Sequence, residues 1–145
     1  MPPRGFTLIE LIVVLAIMTL IMVIAAPFAS NALPGVTLTG AAHDVAAGLR
    51  TARSLAISRN REATFTLDVA AHRFTVDDGR VTRSLDEALD ITLETARSEL
   101  GDETVGTIRF FSDGSSTGGR VTLALGERDY HIDVDWLTGR VSIRD

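Results

Sequence analysis

One serine in the sequence has neighbours that match a catalytic nucleophile turn. Gly114, Ser116 and Gly118 have the G-x-S-x-G spacing in which a serine attacks an ester or amide carbonyl. That motif requires a turn from a strand into a helix, with a histidine and an acid brought alongside. Here an alternating, strand-like segment follows, and the lysine of a phosphate-binding Walker loop is absent. We therefore expect a glycine-rich hairpin loop with positive φ angles rather than an esterase or a phosphate site.

Side chains that could bind a metal ion are present but lack a recognisable spacing. The aspartates of interest are Asp113, Asp133 and Asp135, and the histidines are His43, His72 and His131. Clustered carboxylates suit calcium, but the spacing of an EF-hand loop is missing. The histidines lie far apart in sequence, and there is no cysteine to complete a zinc site. The sequence predicts neither a metal site nor a cofactor.

A carboxylate, Glu10, stands at the start of a long apolar segment. No charged residue occurs from Leu11 to Ala29. Counted from Phe6, the segment would be about 36 Å long as a helix, which is enough to cross a bilayer. A carboxylate in such a helix is costly and is a candidate functional group. The alternative is that Glu10 simply favours the N-terminus of its own helix and reaches the membrane interface.

The flanks of this segment indicate its orientation and its shape. Arg4 favours a cytoplasmic N-terminus, which sends the chain after Asn31 across the membrane. A secretory signal peptide is the alternative, because the small residues from Ala26 to Ser30 could serve as a cleavage site. Pro27 removes a helical hydrogen bond and predicts a kink. Leu33-Pro34-Gly35 predicts a second break before the next segment.

Composition limits the remaining possibilities. The chain has 145 residues and a formal net charge of −5, so it allows one modest folded domain beyond the apolar segment. Every basic residue is an arginine and acids outnumber them, which argues against nucleic-acid binding. Arg50, Arg53, Arg59 and Arg61 crowd the end of a predicted helix. Positive charges near a helix C-terminus interact favourably with the helix dipole, so we expect these arginines to be solvated. The alternative is that they form a binding patch.

The elements that must position these groups follow from hydrophobic periodicity. An amphipathic helix ending near Asn60 is predicted by apolar residues at helical spacing, namely Leu38, Ala42, Val45, Leu49, Ala52 and Ala56. After it, Ala63, Phe65 and Leu67 alternate with polar residues and predict a hairpin with residues 74–76. Asp78-Gly79 predicts another turn.

The rest of the chain divides into an ambiguous and a clear part. Residues 81–85 and 91–93 could be strands, although 85–100 also permits a short helix. Strands are predicted near 107–111, 120–125, 130–134 and 140–143. A long helix packed on antiparallel β-structure is the simplest way to bury both apolar faces. The predicted fold class is α+β.

The N-terminal residues Arg4-Gly5-Phe6-Thr7-Leu8-Ile9-Glu10, followed by an apolar helix, resemble the class III signal of type IV pilins and type II secretion pseudopilins. This resemblance implies cleavage between Gly5 and Phe6 by prepilin peptidase and N-methylation of the new Phe6 amine. Glu10 would then be the fifth residue of the mature chain, and would pair with the N-terminal amine of a neighbouring subunit during filament assembly. The Pro27 kink also matches the pilin pattern.

Two C-terminal stretches narrow the resemblance. Phe110-Phe111-Ser112-Asp113-Gly114-Ser115-Ser116-Thr117-Gly118-Gly119 and Val134-Asp135-Trp136-Leu137-Thr138-Gly139-Arg140-Val141 are similar to the signature of the GspH/FimT group of minor pseudopilins. Asp113, Gly114, Ser115, Gly118, Gly119, Trp136 and Gly139 form this signature. Ser112 departs from the proline more usual before the Asp-Gly pair. We expect Trp136 to pack in the core or close the final turn, with an exposed subunit contact as the alternative.

The resemblance implies an organisation of the chain. Residues 1–5 would be a cleaved leader, 6–33 a transmembrane helix, 34–61 the amphipathic periplasmic part of the helix, and 62–145 a periplasmic β-rich, sandwich-like domain. The protein would be held in the bacterial inner membrane by a single pass and incorporated into the periplasmic pseudopilus.

The implied function is that of a non-enzymatic minor pseudopilin at or near the pseudopilus tip, which helps folded proteins cross the outer membrane. Its partners would be other major and minor pseudopilins, prepilin peptidase, the inner-membrane secretion platform and, as a further candidate, the exported proteins. Two alternatives stay open. A minor pilin of a type IV pilus should serve adhesion, twitching or DNA uptake, and uptake would favour a basic surface. A membrane-anchored enzyme would need a convergent catalytic set that the sequence does not display.

Overall fold

The computed structural model describes residues 8–31, 34–95, 100–102 and 104–145. The helices are α1 (Leu8–Asn31) and α2 (Pro34–Arg59). The strands are β1 (Ala63–Asp68), β2 (Arg73–Val76), β3 (Val81–Ser84), β4 (Asp90–Thr95), β5 (Leu100–Asp102), β6 (Val105–Phe110), β7 (Gly119–Leu125), β8 (Arg128–Val134) and β9 (Val141–Arg144). The chain divides into two compact units, Met1–Pro34 and Gly35–Asp145, which are described separately below.

Helix α1 has one acidic residue in its first turn, Glu10, where a negative charge interacts favourably with the helix dipole. The side chains of residues 8–20 are exposed. Pro27 lies inside the helix, which continues to Asn31, so the helix does not end at the proline. The kink at Pro27 stays a prediction. Within the described part of the chain, no helix combines the length and the apolarity that a bilayer crossing requires.

Helix α2 packs through a stripe of small and aliphatic side chains. All six residues of the predicted apolar stripe are buried, and Ala41 and Ala46 extend it. Pro34 is the first helical residue, a position where its missing N–H has no intrahelical acceptor to lose. Gly48 lets the helix approach the β-structure closely, because a Cβ there would lie 2.6 Å from Cε2 of Phe74. The predicted amphipathic helix is therefore confirmed.

The strands form two antiparallel sheets. Sheet 1 has the order β3-β2-β1-β6-β5, and sheet 2 has the order β4-β7-β8-β9. Inward-facing side chains of both sheets join the α2 stripe in one core, and the rings of Phe65 and Phe74 stack at a centroid distance of 5.0 Å. Helices preceding antiparallel sheets confirm the predicted α+β class.

The structure resolves the part of the sequence that was ambiguous. Residues 81–84 and 90–95 are strands, and the helical alternative over 85–100 is wrong where it overlaps β4. The alternation of Ile91 and Leu93 with polar residues outweighs the weaker helical spacing, because Ile91 is buried and its neighbours are exposed. Strand β5 was not predicted, since residues 100–102 contain no apolar alternation.

The glycine-rich segment after β6 begins as the expected hairpin loop, closed by the antiparallel bridge between Phe110 and Ser116, but it does not connect two paired strands. Strand β6 belongs to sheet 1 and pairs with β1 and β5, whereas β7 belongs to sheet 2 and pairs with β4 and β8. The segment 111–118, which we call the crossing loop, therefore carries the chain from one sheet to the other. The prediction of positive φ angles is confirmed at Gly114, Gly118 and Gly119.

Candidate functional site: the paired C-terminal loops

The two C-terminal signature stretches form one structural unit. The crossing loop meets the turn between β8 and β9, residues 135–140, which we call the final turn. The Ser116 N–H donates to the Trp136 carbonyl at 2.9 Å, and the Ser116 hydroxyl donates to the Asp135 carbonyl at 3.1 Å. The two signature stretches, which lie apart in sequence, are thus joined by hydrogen bonds from Ser116 to main-chain carbonyls of the final turn.

Carboxylates stabilise both loops from within. In the crossing loop, Asp113 Oδ1 accepts hydrogen bonds from the Ser115 hydroxyl at 2.6 Å and from its N–H at 2.9 Å. In the final turn, Asp135 Oδ1 accepts from the N–H groups of Leu137 and Thr138 at 3.1 and 2.8 Å, and from the Thr138 hydroxyl at 2.9 Å. These bonds hold backbone donors that strand pairing leaves unused.

Arg53 ties both loops to helix α2. Its Nε donates to the Gly114 carbonyl at 3.1 Å and to the Thr138 carbonyl at 3.2 Å. Gly139 makes this approach possible, because a Cβ at that position would overlap the Gly114 carbonyl oxygen and stand 2.9 Å from Arg53 Nε. Arg53, Gly114 and Gly139 are therefore the residues on which the junction depends.

Four arginines in and just after the C-terminal half of α2 were expected to be solvated; Arg50 and Arg61 are exposed as expected, whereas Arg53 and Arg59 are partly buried. Arg53 is half-buried against the two loops, and Arg59 and Arg61 donate to the Asp77 carboxylate at 2.9 and 3.0 Å. Arg50 makes a longer bond of 3.4 Å to the Val141 carbonyl. The acceptors lie far away in sequence, so the helix dipole alone could not predict them.

Ser116 is placed for structure rather than for catalysis. It is 6% exposed, its hydroxyl donates to the Asp135 carbonyl, and the same oxygen accepts the Gly118 N–H at 3.0 Å. A nucleophile must be reachable and must lie beside a base. The G-x-S-x-G spacing here is the consequence of a loop that needs glycines for its φ angles.

The aspartates and histidines considered for metal binding do not assemble. Asp113 and Asp135 cap separate loops, while Asp133 on β8 binds Arg120 Nε at 2.6 Å. Asp133 Oδ2 lies 3.3 Å from Arg144 Nε, without the geometry of a hydrogen bond. Across the described ranges, no group of three His, Cys, Asp or Glu residues could hold an ion.

The histidines occupy three separate environments. His43 is exposed on α2, and His72 Nδ1 lies 3.1 Å from the Asp86 carbonyl. His131 is on β8, where Nδ1 lies 3.1 Å from the Thr122 hydroxyl and Nε2 lies 3.1 Å from the Asp129 carboxylate.

Trp136 is not a core residue. It lies in the final turn, as one form of the prediction required, but its side chain is 65% exposed and that of Leu137 beside it is 63% exposed. The turn uses only the Trp136 main chain, through the carbonyl that accepts the Ser116 N–H. An indole that the fold does not need for packing fits the alternative of an exposed contact.

The N-terminal site residues divide between described and undescribed positions. Glu10 lies in the first turn of α1, whereas Gly5 and Phe6, the predicted cleavage and methylation positions, lie outside the described residues. Sequence reasoning missed two features of the site: the bonds by which Arg53 holds both loops, and the structural role of the buried Ser116. A usable signal existed for Arg53, because it follows the buried Ala52 and borders the apolar stripe.

We predict that the final turn weakens in acid. The backbone and side-chain hydrogen bonds from Thr138 lower the pKa of Asp135 below its ordinary value, and those from Ser115 do the same for the pKa of Asp113. A carboxyl whose pKa falls on folding adds stability at neutral pH, and that stability is lost as the pH falls below about 4. Asp135→Ala should therefore lower the urea midpoint more at pH 7 than at pH 3.

Urea titrations of the full chain in detergent, followed by circular dichroism at both pH values, measure this difference. Glu127→Ala removes an exposed carboxylate from the turn between β7 and β8 and is the control. A loss in Asp135→Ala that is equal at the two pH values would contradict the prediction.

The fold is that of minor pilins and pseudopilins, as comparison with solved structures shows. The type IV minor pilin FimU of Pseudomonas aeruginosa has a TM-score of 0.58 at 15% identity, covering 74% of this chain and 93% of that structure. The minor pseudopilin EpsH of Vibrio cholerae has a TM-score of 0.59 at 15% identity, covering 74% of this chain and 96% of that structure.

Sequence comparisons identify the family within that class. A family described as type II transport protein GspH matches residues 41–138, and a prokaryotic N-terminal methylation motif matches residues 2–26. The type II secretion system protein H of Xanthomonas campestris pv. campestris is 34% identical over 138 residues, covering 95% of this chain and 81% of that protein. The chain therefore belongs to the GspH family of minor pseudopilins, which confirms the resemblance; the type IV pilus alternative fits less well.

Proposed function

We propose that this minor pseudopilin joins the periplasmic pseudopilus of a type II secretion system at or near its tip and helps to export folded proteins across the outer membrane. The observation that carries the proposal is the presence of two matches in one chain, the methylation motif over residues 2–26 and the GspH family over residues 41–138. The first is typical of subunits that assemble into filaments, and the second is a family described as a type II transport protein.

The N-terminal segment supplies the means of assembly in this proposal. Prepilin peptidase cleaves after Gly5, the Phe6 amine is methylated, and the apolar segment holds the subunit in the inner membrane with the domain in the periplasm. The uncharged sequence from Leu11 to Ala29 supports this anchor. Glu10 pairs with the N-terminal amine of a neighbouring subunit, because opposite charges attract strongly where water is scarce.

The C-terminal domain acts mechanically rather than chemically. Its core unites α2 with both sheets, and Arg53 fixes the two loops to the helix, so the domain can transmit a displacement without deforming. Partners are other major and minor pseudopilins and the inner-membrane secretion platform, and exported proteins are candidates. The family is structural, which supports a role without covalent chemistry.

Deletion of the gene, with its neighbours intact, tests the proposal. Secreted hydrolases should accumulate in the periplasm and fall in the medium, and expression of the full chain from a plasmid should restore export. Total hydrolase activity and export through other pathways are the controls, because both should be unchanged. Normal secretion would contradict the proposal and would favour a type IV pilus role, to which the FimU fold likeness points; twitching and DNA uptake would then be measured.

A further inference from the structure

Exposed large apolar side chains of the domain are concentrated at the paired loops. Among the described residues of 35–145 they are Ile57, Trp136 and Leu137, exposed by 45%, 65% and 63%. Trp136 and Leu137 lie in the final turn, and Ile57 Cδ1 lies 3.3 Å from the point where a Cβ on Gly114 would stand. Apolar groups gathered in this way on an otherwise polar surface are typical of a contact site.

The main chain that presents these side chains is already fixed. The Trp136 carbonyl accepts the Ser116 N–H at 2.9 Å, and the Leu137 N–H donates to Asp135 Oδ1 at 3.1 Å. Gly139 N–H donates to the Asp135 carbonyl at 2.8 Å, which closes the turn. Docking a partner therefore costs little backbone ordering, and a rigid tryptophan is among the residues that contribute most at interfaces.

The same turn borders a cationic groove. The groove has a volume of about 450 Å³, and its lining consists of Arg50, Arg53, Thr138, Gly139, Arg140 and Val141, with no carboxylate among them. Arg53 is committed to the two loop carbonyls and Arg50 reaches the Val141 carbonyl. The Arg140 side chain has no hydrogen-bond or ion-pair partner within the described ranges. This is a positive surface on a chain whose net charge is −5.

We propose that the final turn and this groove bind an acidic segment of a neighbouring pseudopilus subunit. A carboxylate of the segment pairs with Arg140, whose planar fork matches its two oxygens, and an adjacent apolar side chain packs on Trp136 and Leu137. Charge complementarity selects the occupant, because the groove is lined by three arginines and no acid. Arg140 also lines a second cavity with Asp133 and Asp135. These carboxylates already accept hydrogen bonds from Arg120 and from the final turn itself. A nucleic-acid backbone is disfavoured by the acidic balance of the rest of the chain. The inference rests on the proposed function and names the contact surface that it needs.

Site-directed photo-crosslinking in cells tests this contact. Leu137 is replaced by p-benzoylphenylalanine in the full chain, which is expressed in the deletion strain and irradiated. Glu127, exposed in the turn at the opposite end of sheet 2, receives the same replacement as the control. Mass spectrometry identifies the captured partner and the crosslinked segment. We expect a pseudopilus subunit at position 137, joined within a segment that contains Asp or Glu, and no comparable product at position 127.

Charge reversal then tests the role of Arg140. Arg140→Glu should reduce the crosslink from position 137 about tenfold or more, since a charged hot spot becomes repulsive. Arg128→Glu, a matched change of an exposed arginine at the other end of β8, should leave the crosslink unchanged. Trp136→Ala should also weaken it, and because it retains the main-chain bonds of the turn, it serves if Arg140→Glu lowers the protein level.

Several outcomes would overturn the contact while leaving the proposed function intact. They are equal products at positions 137 and 127, a partner that is a nucleic acid or a protein outside the pseudopilus, and a yield unaffected by Arg140→Glu and Trp136→Ala. Failure of the proposed function would appear separately, as normal hydrolase export in the deletion strain itself.

Discussion

Gly139→Ala is expected to destabilise the domain by about 3 kcal/mol or more. Gly139 has a φ of +62°, a conformation that costs an alanine energy, and its new Cβ would overlap the Gly114 carbonyl oxygen. Both the carbonyl and the Arg53 side chain would have to move, and the bond between them would lengthen or break. Urea unfolding of the full chain in detergent, followed by the circular dichroism of the β-structure, measures the loss.

Gly126→Ala separates the two causes of this loss. Gly126 has nearly the same φ, +65°, but a Cβ there has no atom within 4 Å. It should therefore lose only the conformational term, about 1 kcal/mol. Equal losses for the two variants would mean that the contact between the crossing loop and the final turn adds nothing to stability.

Glu10→Ala is expected to abolish most of the assembly function while leaving processing intact. The carboxylate is proposed to recruit the methylated amine of a neighbouring subunit, and loss of one charged partner leaves the other unpaired in an apolar medium. We expect hydrolase export, and the amount of this subunit recovered with isolated pseudopili, to fall about tenfold or more. Intact-mass measurement should still find cleavage after Gly5 and one added methyl group.

Two further variants identify what Glu10 contributes. Glu10→Gln keeps the size and removes the charge, so it should fail like Glu10→Ala. Glu127→Gln removes an exposed charge from the C-terminal domain and should behave as wild type. Normal incorporation and normal export with Glu10→Ala would contradict the pairing, and the carboxylate would then be read as a group that favours its own helix N-terminus.

Helix α2 and strands such as β1 and β6 could be predicted because each has one buried face. The stripe from Leu38 to Ala56 repeats with the helical period, and Phe65 and Leu67 repeat with the strand period. These periods follow from the covalent geometry of the chain, so a single sequence contains them. What they cannot specify is which strands pair, because alternation determines the face of a residue and not its neighbour across the sheet.

The crossing loop illustrates this limit. A glycine-rich segment between two alternating segments favours a hairpin, yet β6 pairs with β1 and β5, and β7 pairs with β4 and β8. The choice depends on the apolar faces of strands that lie far apart in sequence. Ser116 follows the same rule, since its burial comes from the final turn, which begins 19 residues later at Asp135.

The sequence identified the residues of the candidate site but not how they contact one another. The signature residues of the two loops were identified, but their junction through Arg53 was not, because an arginine in a helix is normally a solvated group. Trp136 was expected to pack in the core or to close the final turn, since a large apolar ring is usually buried. Its exposure is possible here because carboxylate and main-chain hydrogen bonds close the turn without it.

The alternation of strands between the two sheets has a consequence for how the domain folds. Strand β4 belongs to sheet 2 although β3 and β5, on either side of it in the chain, belong to sheet 1. The chain therefore crosses between the sheets before either is complete. The β1 and β6 pair, for example, joins Ala63 to Phe110, so it can form only after the strands between them have been placed. Neither sheet is a separate folding unit. Because such long-range pairing must form as a whole, we expect the domain to fold slowly, with unpaired strand edges exposed until the C-terminal strands pair.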